Sequence, residues 1–511
     1  MREEDIMKYI KGFIIYLIGA MVCVGCTQTR ISYPAYENVT KIEFDEELIK
    51  VDGEACNHDM NQAVYLSNDI IYYRDSQDFR YGEGSEADAH SQDEANKHTV
   101  VNITKPGAYQ LNGQLSLGQV AVDLGDEAAY DPQAKVILIL DGIDLTCEVA
   151  PAIIFYNVYE CGQKDEAKAT KDVDTSLAGA NVIIKDGSVN HIKGSYVAKI
   201  YKPESVVLSD DKTKVEDAKK LHKYDGAFYS KMSMNVFGES QNTGVLNIEA
   251  ENEGLDSELH LTINGGNINI VSGNDGINTN EDNVSVTTIN GGSVNIIVNG
   301  KTGEGDGIDS NGWLVINGGS VSAQSCASSG DAGIDSDKGI YIYGGHVIAS
   351  GHMLDHIEGN GQNYAVFRFD EKLESGDKII LMNQSKETVK EYEIENSCSI
   401  VIYSSPLLKV GDYTLMCNDK QLSYTQIQGG HEFRPMGEPP GGFEPDKNMT
   451  FPDRERPDPN FKLDDFDKDH IKPDRKPDEP LNKNDSNQSI NTKTFVFHIQ
   501  KGANMFNGIS K

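Results

Sequence analysis

The chain has 511 residues, of which 46 are basic and 80 acidic, giving a formal net charge of −34. A balance so acidic excludes a general nucleic-acid binder, whose footprint is basic, and suits an extracellular, cation-rich setting. The length is enough for two or three domains.

The first 26 residues read as a leader. "MKYIKGFIIYLIGAMVCVGC" from Met7 has a basic start, an apolar run and a closing Cys26, the layout of a secretory signal. Val24-Gly25-Cys26 resembles the bacterial lipobox, with Cys23 where Leu is usual. Cleavage there would make Cys26 the new N-terminus and the lipidation site. The acidic Arg2-Glu3-Glu4-Asp5 is foreign to such leaders and favours Met7 as the start. The expectation is a lipid-anchored, extracytoplasmic protein. The six cysteines beyond residue 26 (Cys56, Cys147, Cys161, Cys326, Cys398 and Cys417) form no CxxC pair, which argues against structural zinc. Cys398 and Cys417 fall on neighbouring β-like runs, where a bridge and free thiols are equally compatible with the sequence.

Residues 27–97 are polar and mixed, and read as a tether with local strands. From about Thr99 the chain becomes orderly, and "AKVILILDGIDLTCEVAPAIIFYNV" (134–158) is apolar enough for buried parallel strands. Charged stretches at 162–178 and 202–224 read as surface insertions.

Then the sequence repeats. "ENEGLDSELHLTINGGNINIVS" starts at Glu251, "NDGINTNEDNVSVTTINGGSVNIIV" at Asn274, "GEGDGIDSNGWLVINGGSVSA" at Gly303 and "DAGIDSDKGIYIYGGHVIAS" at Asp331. Each copy has an acidic turn, a short strand, a Gly-Gly pair and another strand. The second glycines are Gly266, Gly292, Gly319 and Gly345, a period of about 26 residues that signals a stacked repeat. Three apolar columns follow: Ile263, Ile289, Ile316 and Ile342; Ile268, Val294, Val321 and Val347; Leu255, Ile277, Ile308 and Ile334. Period-2 apolar positions bounded by Gly and Asn predict strands. About 26 residues with two or three short strands fit one turn of a parallel β-helix, which buries its inner face only by stacking on neighbours. The solenoid is expected over 98–360.

Stacking has a consequence for the acidic turns. Adjacent strands lie about 4.8 Å apart, so equivalent carboxylates would form a column and repel one another. Calcium takes carboxylate oxygens at about 2.3–2.6 Å, so one ion can touch two turns. The expected ligands are Asp256, Asp275, Asp306, Asp309 and Asp335, with Asn278, Glu304 and Asp331 next. Taken singly, each is an ordinary turn residue; the column as a group points to calcium. Magnesium fits less well, because it demands a stricter octahedron.

The pattern changes after 360. Residues 361–430 read as a small antiparallel β unit that caps the solenoid. Ten of the 16 prolines fall between 435 and 480, so 431–490 reads as a disordered Pro- and Asp-rich segment. Residues 491–511 regain β character and are expected to return to the β unit.

The combination of "LTINGG", "DGI(N/D)(T/S)", "DGAFYSK", "VILILDGIDL", "VIYSSPLLKVGDYTL", the Pro-rich stretch and the closing "TFVFHIQKGANMFNGI" resembles the secreted bacterial calcium-binding, carbohydrate-binding β-helix proteins, which are pectate-lyase-like in fold. The resemblance covers roughly 98–511. It implies a right-handed helix, several calcium ions and affinity for cellulose-like and pectin-like glycans. It departs in one place: where members often carry Lys after the Gly-Ile of the acidic turn, this chain has Asn278, Asp309 and Asp335.

Three functions compete. The first is a non-catalytic polysaccharide-binding surface protein, with Trp313, Lys301 and Lys338 as candidate sugar contacts. The second is a calcium-dependent polysaccharide lyase, in which Lys231, Lys301 or Lys338 would remove a proton by β-elimination; none of the three has the basic neighbours that would lower its pKa. The third is a structural or adhesive surface protein with no glycan site. His352 and His356 are four apart, as on a metal-binding helix, but they lack the HExxH glutamate and read as the end of the solenoid.

Overall fold

The computed structural model describes residues 36–427 and 491–510. The leader with Cys26 and the segment 431–490 lie outside the described residues. Among those described, the protein is all-β, with one four-residue helix at Gln92–Ala95 and three short 3-10 turns. No described helix is long and apolar enough to cross a membrane.

Three ladders of mostly parallel strands organise the molecule. The first runs from Val136–Cys147 through Ala180–Ile184, Met234–Gly238, His260–Ile263, Val286–Ile289 and Trp313–Ile316 to Ile340–Ile342. The second shares Val136–Cys147 and continues through Val189–Gly194, Val245–Ala250, Asn267–Ser272, Ser293–Val298 and Ser320–Gln324 to His346–Gly351. The third runs from Thr99–Ile103 through Gly118–Asp123, Ile153–Asn157, Gly226–Ser230 and Glu253–Ser257 to Ile277–Thr279, then on through single bridges at Ile308 and Ile334.

The apolar columns explain these ladders. Ile263, Ile289, Ile316 and Ile342 pair in register, as do Ile268, Val294, Val321 and Val347, and Leu255, Ile277, Ile308 and Ile334. All are buried in one continuous core. A one-residue slip would turn a whole column outward, so burial fixes the register. At the corners, Gly266, Gly292, Gly319 and Gly345 have φ of +94°, +84°, +82° and +84°. A Cβ on Gly292 would stand 2.6 Å from the Gly266 carbonyl oxygen, so only glycine lets consecutive corners close. Beside them, Asn264, Asn290 and Asn317 link side chain to side chain at 2.9 and 2.8 Å.

Strands of opposite direction stand at the ends. Cys398–Ser404 runs antiparallel to His346–Gly351 and to Tyr364–Leu373, and Ala503–Ile509 lies parallel to Tyr364–Leu373. Phe497–Ile499 joins Gly411–Cys417 in a second, antiparallel sheet. Cys398 and Cys417 are both buried in this C-terminal core. At the other end, Val39–Phe44 pairs parallel with Gly107–Leu115 and antiparallel with Lys50–Val51, while Val64–Ser67 runs antiparallel to Thr99–Ile103.

Candidate functional site

The third ladder carries the acids. Register places Asp256 beside Asn278, and the bridges at Ile308 and Ile334 continue that row to Asp309 and Asp335. Three residues earlier stands a second row: Glu253, Asp275 and Asp306. Backbone amides staple each turn to the next. The Asp306 N–H donates to Asp275 Oδ1 at 2.7 Å, the Ala332 N–H to Asp306 Oδ1 at 2.6 Å and the Gly305 N–H to Asp331 Oδ2 at 2.6 Å.

Two groups result. In the outer group, Asp306, Asp309 and Asp335 bring one carboxylate oxygen each within 4.8 Å of the others. Two oxygens on opposite sides of one calcium ion are separated by about 4.6–5.2 Å, so the spacing fits. In the inner group, Asn278 Nδ2 donates to Glu253 Oε1 at 3.1 Å and Asn280 Nδ2 to Asp256 Oδ1 at 2.7 Å. Glu253, Asp256 and Asn278 are only 4%, 0% and 5% exposed. Among the described residues, Glu253 Oε2, Asp256 Oδ2 and Asn278 Oδ1 are buried without a hydrogen-bond partner. Native interiors leave few such acceptors unsatisfied. Three on one hydrogen-bonded cluster, all hard oxygens, match the donor set that calcium prefers.

Electrostatics agree with the geometry. Burial, reinforced by neighbouring carboxylates, raises Asp275, Asp309 and Asp335 to about 7 and Asp306 to about 9. Burial likewise holds Glu253 and Asp256 well above the ordinary carboxyl range. Near pH 7 Asp306, Glu253 and Asp256 keep their protons, and Asp275, Asp309 and Asp335 keep part of theirs, unless positive charge joins them. Lys223 brings a built-in positive charge to the inner group: its Nζ lies 2.8 Å from Asp225 Oδ2. Burial opposes its charge, but Asp225 and Glu253 outweigh burial and keep its pKa raised.

The remaining candidates scatter. Glu304 is exposed, and Asp331 is half-buried at the edge of the outer group, where it also accepts from the Ser329 hydroxyl. Lys301 is exposed and pairs with Glu251 at 3.0 Å. Lys338 is exposed, and its N–H donates to the Gly312 carbonyl at 2.8 Å. Trp313 is half-buried at the start of its strand, and Lys231 is exposed. The ring of His352 bonds Ser399 Oγ and the Ala327 carbonyl, while His356 Nε2 lies 3.4 Å from Glu358, so the two histidines have different partners.

Sequence reasoning missed Glu253, Asp225, Lys223 and Asp355. Glu253 was findable, since "EGLDS" aligns with "DGINT" and "DGIDS" and puts Glu253 in the row of Asp275 and Asp306. Asp225 was hidden by one extra residue: Phe228, not Ala227, pairs with Leu255. Asp355 comes from outside the repeats. It accepts from the Ser336 N–H at 3.2 Å and adds to the charge that raises Asp335.

Among solved structures, the chain is similar to the polysaccharide lyase-like protein from C. thermocellum, determined as a gadolinium derivative. The identity is 20% over 60% of this chain and 84% of that one, with a TM-score of 0.32. Among curated proteins, none matches the chain. A family model described as "Carbohydrate-binding domain-containing protein" matches residues 97–164 and 164–363. That is more than half of the 511 residues and takes in all four sequence repeats, and the chain belongs to this family of carbohydrate-binding domain-containing proteins.

Proposed function

We propose that the protein is a cell-surface, calcium-stabilised, non-catalytic polysaccharide-binding lipoprotein, anchored through Cys26, with cellulose-like or acidic pectin-like glycans as ligands. Its parallel ladders wind as a right-handed solenoid over 98–360, closed by the C-terminal β unit. The family match over 97–363 carries the binding reading. The calcium reading rests on the orphaned oxygens of Glu253, Asp256 and Asn278 and on the close approach of Asp306, Asp309 and Asp335. A bound calcium ion supplies the positive charge that lets stacked carboxylates ionise without mutual repulsion. The chain's own part is to hold those oxygens in register, two turns at a time, through the amide staples at Asp306 and Ala332.

A non-catalytic role is favoured by the placement of the lysines. A base for β-elimination must be neutral near working pH. Lys223, the lysine beside the acidic rows, is held charged by the carboxylates around it. Polysaccharide lyase activity is the competing reading.

The test is retention of the chain lacking its first 26 residues on insoluble cellulose and on immobilised polygalacturonate, with calcium and with chelator. The expected result is calcium-dependent retention on at least one matrix, with no unsaturated product in the supernatant. Product that accumulates as retention decays would make the protein a lyase. No retention on either matrix would remove the glycan-binding reading.

A further inference from the structure

The outer face of the first ladder changes character along the stack. Its outward positions alternate with the core-facing Leu261, Ile263, Leu314, Ile316, Ile340 and Ile342. In register they read His260, Val286 and Trp313 in one row, and Thr262, Thr288, Val315 and Tyr341 in the next. At the near end the 162–178 insertion covers this face. Thr175 Oγ1 lies 2.7 Å from both Thr262 Oγ1 and Asn235 Oδ1, and His260 and Thr262 are buried. Val286 and Val315 are still buried, and the face opens only at its far end, where aromatic residues take over. Tyr343 is 42% exposed, and the Tyr341 and Tyr343 rings lie 6.0 Å apart at 34°. Lys171, from the same insertion, holds its Nζ 5.3 Å from the Tyr341 centroid and 5.5 Å from that of Tyr343.

The geometry points to Trp313, Tyr341, Tyr343 and Lys171 as the landing site for an acidic glycan, a chain of uronate sugars. This deepens the polysaccharide-binding reading and rests on it. A pyranose has a flat C–H face and a polar rim. An exposed tyrosine or tryptophan offers a rigid apolar surface with a polar tip, at low entropic cost. Lys171 supplies the charge that a uronate carboxylate requires. Its present partner is Asp172, whose side chain is 75% exposed. The Lys171 side chain itself is 24% exposed, so the pair is open to solvent on the Asp172 side, where a ligand carboxylate can compete for the ammonium. On a chain of net charge −34, a polyanion approaches best where a cation stands over aromatic rings. The amide row that ends at Asn317 lies one strand before Tyr343 and offers hydrogen-bonding groups to sugar hydroxyls.

The test uses the full-length protein in saturating calcium, titrated with oligogalacturonate and, separately, with cello-oligosaccharide. The chain's one Trp is a reporter that requires no variant: its fluorescence should change saturably with oligogalacturonate. Combining Tyr341→Ala with Tyr343→Ala should weaken binding about tenfold or more. Lys171→Gln should weaken it about three- to tenfold and reduce its salt dependence. Lys171→Arg and Tyr343→Phe should bind within about twofold of the parent, since both keep the charge or the ring. Unchanged binding in the double variant, or a silent Trp during saturable binding, would overturn the site. Equal affinity for the neutral oligosaccharide, insensitive to Lys171→Gln, would overturn its preference for acid. A parent protein that binds neither sugar would instead refute the glycan-binding reading itself.

Discussion

Stripped of calcium, the protein is expected to be more stable at pH 5 than at pH 8, and calcium should narrow that difference. The sign follows from the raised carboxyls. An unfolded Asp releases its proton near 3.8, whereas folded Asp275, Asp309 and Asp335 keep theirs to about 7 and Asp306 to about 9. Between those values the folded state binds more protons than the unfolded one, so stability falls as pH rises from about 4 through about 7 to 9. Calcium binds the deprotonated ligands, so its contribution grows over the same window. At a hundredfold excess over its Kd, one ion contributes about 2.7 kcal/mol, a rise in unfolding midpoint of roughly 3–5 °C for a protein of this size. Asp306→Asn isolates the effect. The amide oxygen can still accept from the Ala332 N–H, but the carboxyl is gone. This variant should be more stable than the parent at pH 8 without calcium and gain less from calcium. Thermal melts followed by circular dichroism at both pH values, with calcium and with chelator, decide it. A metal-free parent that is more stable at pH 8 than at pH 5, with Asp306→Asn unchanged, would contradict this account.

Gly276→Ala should be a strongly damaging single methyl group in the repeats. Its Cβ would lie 2.1 Å from Ile296 Cγ2 and 2.6 Å from the Gly307 carbonyl oxygen. The isoleucine can rotate away only into a filled core, and the carbonyl belongs to the next acidic turn. The turn must therefore move. Overpacking of this kind costs about 1–3 kcal/mol, occasionally more. The displacement also parts Asp275 from Asp306, so the gain from calcium should shrink with the stability. Gly330→Ala is the control, since nothing lies within 4 Å of its added Cβ; its effect should stay within about 0.5 kcal/mol. Urea midpoints with and without calcium measure both. Equal midpoints for the two variants would mean that the turn is not wedged.

The ladders were legible because one physical rule wrote them. Period-2 burial repeats at Ile263, Ile289, Ile316 and Ile342, and a register read from those side chains needs no tertiary information. The acidic rows were legible where they follow the same period, at Asp275, Asp306, Asp309 and Asp335. Legibility ended where the chain left the repeat. Lys223 and Asp225 arrive from a strand with an extra residue, and Asp355 from beyond the last copy. Lys171 reaches Tyr341 and Tyr343 from an insertion about 170 residues earlier in sequence; no periodicity announces such a contact. Lys301 and Lys338 drew attention by proximity in sequence, yet the first is tied to Glu251 and the second is simply exposed.

The strands of opposite direction at both ends bear on how such a protein changes size. A parallel ladder that ended in a bare parallel edge would be a template for the next molecule, and copies could add head to tail without limit. Here Lys50–Val51 and Val64–Ser67 reverse direction at one end, and Cys398–Ser404 does so at the other. Neither end of the stack thus repeats the pairing of the middle, and the middle is free to vary. Duplication of one unit of about 26 residues, Gly-Gly to Gly-Gly, would lengthen the molecule by one strand spacing of about 4.8 Å per ladder and add one more acidic turn to the row. Both terminators would stay as they are.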